Sequence, residues 1–414
     1  MLNFDRALFL AEIGRLKFVV PPAFPWSPGH YIHDVHNFFL NLNAGSYDKS
    51  LFYVYPFHEA EIPLTVFNLI KAFVNVYFSN VHLVFNNKVV YEVCQLALVY
   101  PEYVVCPNSP ICRLVIPKGL SRSDCRVGSI LLGHRYFTIP TIEERRWVEN
   151  YLTLSAASPH CNPFWHSISQ LADMVPLPYQ NKKLALIQAK TKNANCAVFP
   201  NDYLGYKELI EYFFDTDHNV VVVGRENHQH LPYHDLISHY STSGNASFFA
   251  DLCLFAASSI SVIGGSGIGI IPAVFNKPLV MNNIPLFVYP QALSGCVSIP
   301  PLVYSFSKNN YLSVSEVDLL ITQLPNAWDV LPDNYSGENT RQGNPYSIAF
   351  ANGHHRADTS LSNKFLVEAV KLSQGLATCN ENNYIVNNFT RFSGLTVKYP
   401  ISYIQLLREN NLLC

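Results

Sequence analysis

The chain has 414 residues, of which 49% are hydrophobic and 14% charged, and carries a formal net charge of −2. That length suffices for two domains with sizeable cores, and the apolar excess excludes a disordered chain or a coiled coil. With a pI near 6.7 no global field gathers nucleic acid or an anionic membrane, so recognition has to be local.

The ten cysteines stand at 94, 106, 112, 125, 161, 196, 253, 296, 379 and 414, with no C-x-x-C pair and no histidine at zinc spacing. They read as reduced, partly buried thiols in a cytoplasmic setting, and no metal or cofactor is expected. The opening MLNFDRALFLAEIGRLKFVV carries Asp5 and Glu12 and lacks the pattern of a signal peptide. The most apolar later windows are interrupted by Asn68, Lys71 and Asn75, or by Asp251 and glycines, so no spanning helix is expected. Peripheral contact with the inner face of a membrane stays open.

In chain order, Leu16 to Val20 reads as a strand and leads into a proline-rich loop with Gly29-His30 at its end. A helical pattern follows through Ile32, Val35, Phe38 and Leu40, which places His30, His33, Asp34 and His36 at a loop-to-helix junction. Leu51 to Pro56 is a second strand, and His58, Glu59 and Glu61 follow its end, where open α/β sheets bind ligands. Asn80 to Phe85 is a third strand; Val89 to Leu98 fits helix or strand. Thr141 to Glu144 is a capping box, and Ser155 to Pro178 is the expected linker between domains 1–175 and 176–414.

The second half alternates. Leu184 to Gln188 is a strand, Lys190 to Pro200 a polar loop, Asp202 to Phe214 a helix, and Val220 to Val223 a strand ending at Gly224-Arg225-Glu226. Such a βαβ unit implies a parallel sheet with right-handed crossovers. His230 and His234 are four apart, but Pro232 breaks the helix that would align them on a metal. Asn245 to Phe248 starts a helix carrying Asp251. Near the end, Ser360 or Ser362 caps a helix through Leu372 to Gly375, Tyr335 to His355 reads as a long loop, and Tyr403 to Leu413 is a terminal helix.

The stretch around which these elements arrange themselves is FFADLCLFAASSISVIGGSGIGIIPAVFNKPLVMNNIP. Ser258 to Ile263 reads as a buried strand, Gly264, Gly265, Ser266, Gly267 and Gly269 as a turn, and Ile268 to Phe275 as a helix closed by Asn276 in a left-handed conformation. Leu279 to Met281 is the next strand. Glycines admit a close ligand, and the free amides of a helix start attract an anion such as a phosphate.

This order of residues resembles the donor-binding half of GT-B glycosyltransferases, over about residues 184 to 290. It is similar above all to a group of bacterial glycosyltransferases with a fucosyltransferase-like donor half, in Ser261 to Gly267 and in Asn283 to Pro285. The resemblance implies two Rossmann-like domains with parallel sheets facing a cleft, and terminal helices that pack back on the first domain. It implies a cytoplasmic enzyme of glycan biosynthesis, of hexosyl- or deoxyhexosyltransferase type, that moves a sugar from a nucleotide-sugar to a glycan, lipid-linked or protein acceptor. Many retaining enzymes of this fold carry a glutamate where this chain has Ile271, which favours inverting, metal-independent transfer.

The resemblance also assigns roles. Asp34, His33 and His30 are candidate bases, joined by Glu59 from its place past the end of the second strand, and Gly264, Gly265, Ser266, Gly267, Ile268 and Asn283 line the donor site. The basic H-x-R phrase of the group is here Gln188-Ala-Lys190-Thr-Lys192, so Lys190, Lys192 and Arg225 are the candidate diphosphate partners. Two other readings use the same fold: a degenerate scaffold that binds glycans or proteins, and a nucleotide-sugar 2-epimerase.

Overall fold

The computed structural model describes residues 4–19, 50–55, 71–72, 74–75, 81–85, 92–93, 104–105, 169, 182–188, 205–224, 231–240, 246–264, 267–283, 296–317, 355–380 and 398–413. The chain divides into two compact units: residues 1–167 with 247–249, and residues 168–246 with 250–414. Among the described residues no helix is long and apolar enough to cross a membrane.

The first unit opens with helix α1 (Phe4–Glu12), a stretch that the sequence reading weighed only as a leader. Ala7 and Ala11, four apart and hence on one helix face, are buried, and the Phe4 ring lies 5.6 Å from that of Phe18. Gly14, at φ +73°, turns the chain into strand β1 (Leu16–Val19). Strands β2 (Ser50–Tyr55), β3 (Val81–Phe85) and β4 (Val104–Val105) complete a four-stranded sheet in the order β3-β2-β1-β4. Every pairing is parallel.

The second unit is built on a six-stranded sheet. Strand β5 (Lys183–Gln188) leads to helix α2 (Tyr206–Asp215), then to β6 (His218–Val222) and the short β7 (Ser238–His239). Helix α3 (Phe248–Ala257) precedes β8 (Ile260–Gly264); a 3₁₀ turn, Gly267–Gly269, runs into α4 (Ile270–Val274), followed by β9 (Leu279–Asn282) and β10 (Val297–Ile299). The order is β10-β9-β8-β5-β6-β7, and all pairs are parallel. Ala185 to Ile187, Val220 to Val223, Ile260 to Ile263 and Leu279 to Met281 are buried, as a parallel sheet covered on both faces requires. Helix α3 buries every residue from Leu252 to Ala256, so it is enclosed rather than amphipathic.

Chain reversal after α4 follows the expected chemistry. Asn276 stands at φ +53°, its N–H donates to the Ala273 carbonyl, and the Lys277 N–H donates to that of Pro272, a closing turn that asparagine tolerates.

A second, antiparallel sheet was not read from the sequence. It joins β11 (Leu302–Ser305), β12 (Asn310–Tyr311) and β13 (His355–Asp358) in the order β12-β11-β13. His355, expected as the end of a loop, therefore opens a strand. The helix expected from Ser360 or Ser362 to Gly375 is two helices, α5 (Thr359–Asn363) and α6 (Leu366–Ser373), and its cap is Asp358. The Asp358 carboxylate accepts from the N–H groups of Ser360 and Leu361, so neither serine is needed there. Helix α6 buries Leu366, Ala369, Val370 and Leu372 and packs on β8, β9, β10 and α2. The terminal helix α7 (Ile401–Glu409) buries Tyr403, Ile404 and Leu407, and the Tyr403 hydroxyl donates to the Pro300 carbonyl at 2.9 Å.

Candidate functional site

Strands β5, β6 and β7 advance outward in one direction from β5, whereas β8, β9 and β10 advance in the other from β8. The sheet therefore reverses its winding between β5 and β8, the position outside whose carboxyl ends open α/β sheets take ligands. Gln188 ends β5 and Gly264 ends β8, with Gln188 paired to Ile263 across the switch and Gly264 paired to Asn282 on the other side. The glycine turn read in the sequence thus starts at this point.

Side chains alternate between the two faces of the sheet. On one face, Gln188, Ile263 and Met281 share a row, and Gly269 lies over it: a Cβ on Gly269 would sit 3.1 Å from Met281 Sδ and 3.5 Å from Ile263 Cγ2. Hydrogen at this position lets the start of α4 press against the sheet. Ile271, which follows this turn in α4, is fully buried. It packs and offers nothing to a ligand. Gln188 is 1% exposed although it ends β5.

On the other face a buried polar cluster closes the carboxyl end of β9. Asn282 Nδ2 donates to Asn363 Oδ1 at 3.0 Å and to the Tyr206 hydroxyl at 3.2 Å. Asn283 stands at φ +56°, its backbone N–H donates to the Ile299 carbonyl, its Nδ2 donates to Asn363 Oδ1 at 3.5 Å, and its Oδ1 accepts from Ser362 Oγ at 3.4 Å. Asn282 and Asn363 are wholly buried and Asn283 is 6% exposed. Gly205, at φ +83°, begins α2 against the same cluster: a Cβ there would meet the Asn363 carbonyl oxygen at 2.2 Å.

Of the residues singled out from sequence, the structure brings Gly264, Gly267, Ile268 and Asn283 to the carboxyl ends of β8 and β9. Gly265, Ser266, Lys190, Lys192 and Arg225 lie outside the described residues, as do the candidate bases His30, His33, Asp34 and Glu59. Asn282, Asn363 and Tyr206 were not singled out. Asn282 carried one usable signal, a polar residue closing an apolar strand beside the asparagine already chosen; Asn363 is eighty residues downstream and carried none.

Elsewhere, the His234 ring stacks on that of His239 with centroids 4.0 Å apart. Among the described residues no group of three His, Cys, Asp or Glu could hold a metal ion. Burial pushes the Cys253 thiol up to about 11 and the Cys296 thiol to about 12. Both stay protonated at neutral pH and make poor nucleophiles.

No family model matches the sequence, and no curated protein matches it. Among solved structures, the chain is similar to a glycosyl transferase of family 9 from Veillonella parvula, at 10% identity over 87% of this chain and 98% of that one, with a TM-score of 0.43. It is similar to the ADP-heptose lipopolysaccharide heptosyltransferase II of E. coli, at 12% identity over 68% of this chain and 90% of the other, with a TM-score of 0.38. It is also similar to the UDP-GlcNAc 2-epimerase of Neisseria meningitidis, at 12% identity over 86% and 99%, with a TM-score of 0.30.

Proposed function

We propose that the chain is a glycosyltransferase that moves a sugar from a nucleotide-sugar to an acceptor hydroxyl, with inversion and without a metal. The observation that carries this reading is the strand order of the second unit, which sets the glycine turn at the point where the sheet reverses. Open α/β sheets of this order take nucleotides outside the carboxyl ends of their strands at that point.

In this reading the backbone amides from Gly264 to Ile268 meet the donor diphosphate, with Lys190, Lys192 or Arg225 adding positive charge and Asn283 bordering the same site. A base, Asp34, His33, His30 or Glu59, takes the proton of the acceptor hydroxyl as its oxygen bonds to the anomeric carbon. The bond from that carbon to the diphosphate oxygen breaks, and the diphosphate leaves with the electron pair, stabilised by the amides and cations. The buried Ile271 supports a ribose contact made by some other residue.

The test is a panel of UDP-, GDP-, ADP- and CMP-linked sugars incubated with the protein, with free nucleotide and sugar linkage followed together. One nucleotude class is expected to be released, and removal of the working base, in Asp34→Asn, His33→Gln, His30→Gln or Glu59→Gln, should slow release by about 10²-fold or more. Isomerised sugar still attached to UDP would instead identify an epimerase. Absence of turnover with every donor would leave a binding scaffold.

A further inference from the structure

We propose that Asn363 is a positioning residue for the ligand site at the carboxyl end of the six-stranded sheet, an inference that rests on the donor-site reading above. It closes α5, a helix with no place in the glycine turn, yet its side chain holds the corner where β9 leaves the sheet. One carboxamide oxygen accepts from both Asn282 and Asn283, at 3.0 and 3.5 Å. Its backbone carbonyl fills the space where Gly205 has no side chain, at the residue that starts α2. The start of α2 and the end of β9 are thus registered against a single residue.

The composition of this cluster points to geometry rather than stability. Asn282, Asn283, Ser362 and Asn363 are all buried, and among the described residues Asn282 Oδ1 has no partner. A buried polar network that leaves an acceptor unmatched is less stable than apolar side chains of the same volume. What the amides provide instead is direction: they hold Asn283 in a left-handed conformation that few residues adopt, and so fix the direction in which the chain leaves β9.

Asn363→Leu removes the acceptor while keeping the same branching and number of heavy atoms, whereas Asn363→Asp keeps an oxygen facing both amides. Calorimetric titration with UDP, GDP, ADP and CMP, at a temperature where circular dichroism shows each variant folded, separates positioning from mere support. The Leu variant is expected to bind the nucleotide chosen by the wild type about tenfold more weakly or worse, and the Asp variant to stay within about threefold. A residue that only supports the fold would lower the melting temperature and leave the dissociation constant of the folded protein unchanged. If Asn363→Leu does not fold, Asn363→Ala removes the same acceptor without added bulk, with the same loss expected. Wild-type affinity in the variant measured would overturn the inference alone; a wild type that binds none of the four nucleotides would overturn the donor-site reading and this inference with it.

Discussion

Gly205 and Gly375 both stand at positive φ, +83° and +71°, but their surroundings differ. Beyond Gly375 there is open space, whereas at Gly205 the Asn363 backbone occupies the position of a Cβ. Gly375→Ala should therefore cost only the left-handed conformation, about 1–2 kcal/mol. Gly205→Ala should cost about 3 kcal/mol or more, because two backbones must also separate. Urea unfolding of the two variants checks this, and equal losses would contradict the packing described at α2. Gly264 could be read in advance, because a glycine ending an apolar strand has a local cause, whereas Asn283 was chosen through the resemblance carried by Asn283 to Pro285. Asn363 could not be singled out: nothing near it signals that its carboxamide meets a strand 81 residues earlier.

Among the elements, the junction of β13 and α5 depends on one carboxylate. Asp358 caps α5 and also accepts the Tyr311 hydroxyl at 2.8 Å. Burial raises its affinity for a proton, but the hydrogen bonds from Ser360, Tyr311 and Leu361 outweigh that and hold the carboxyl below its usual range. Burial, with the hydrogen bond to Asp358 second, pushes the Tyr311 hydroxyl up to about 12. Asp358→Ala should destabilise the protein by about 1–2 kcal/mol, the usual worth of a helix cap, and Asp358→Asn by less. Since the folded carboxyl binds its proton less tightly than the unfolded one, its contribution is present above about pH 4 and is lost as pH falls through the folded value. A stability profile of Asp358→Asn parallel to that of the wild type in acid would contradict this. The serines chosen as caps from sequence lay two and four residues too late, and the antiparallel sheet was missed for a related reason. Its strands are short, and β11 meets β13 fifty residues away, so neither periodicity nor a hairpin turn announces it. By contrast β5, β8 and β9 were legible because each is a buried apolar run bounded by a turn.

At the scale of the whole molecule, each unit carries a histidine whose pKa is lowered chiefly by burial, His82 in β3 and His218 in β6. Below about pH 6.5 the unfolded chain takes up protons there that the folded chain resists, so stability rises with pH through this window and is lost as pH falls below it. The double variant His82→Gln/His218→Gln should flatten the fall in melting temperature between about pH 7.5 and pH 5.5; an unchanged slope would contradict the desolvation of the half-buried His82 and the buried His218. The alternation of strand and helix in the second half announced a parallel sheet, yet the sheet order did not follow from it, because pairing between β5 and β8 spans more than seventy residues and only the folded chain shows where the winding reverses. In the proposed function, that reversal is what makes the glycine turn a donor site. Its most direct test is thermal unfolding of the full chain with UDP, GDP, ADP and CMP in turn, repeated with Gly267→Asp. One nucleotide at about 100 times its dissociation constant should add roughly 2.7 kcal/mol, with the shift abolished in the variant. No shift with any nucleotide, or a shift that survives Gly267→Asp, would contradict a donor site at the switch between β5 and β8.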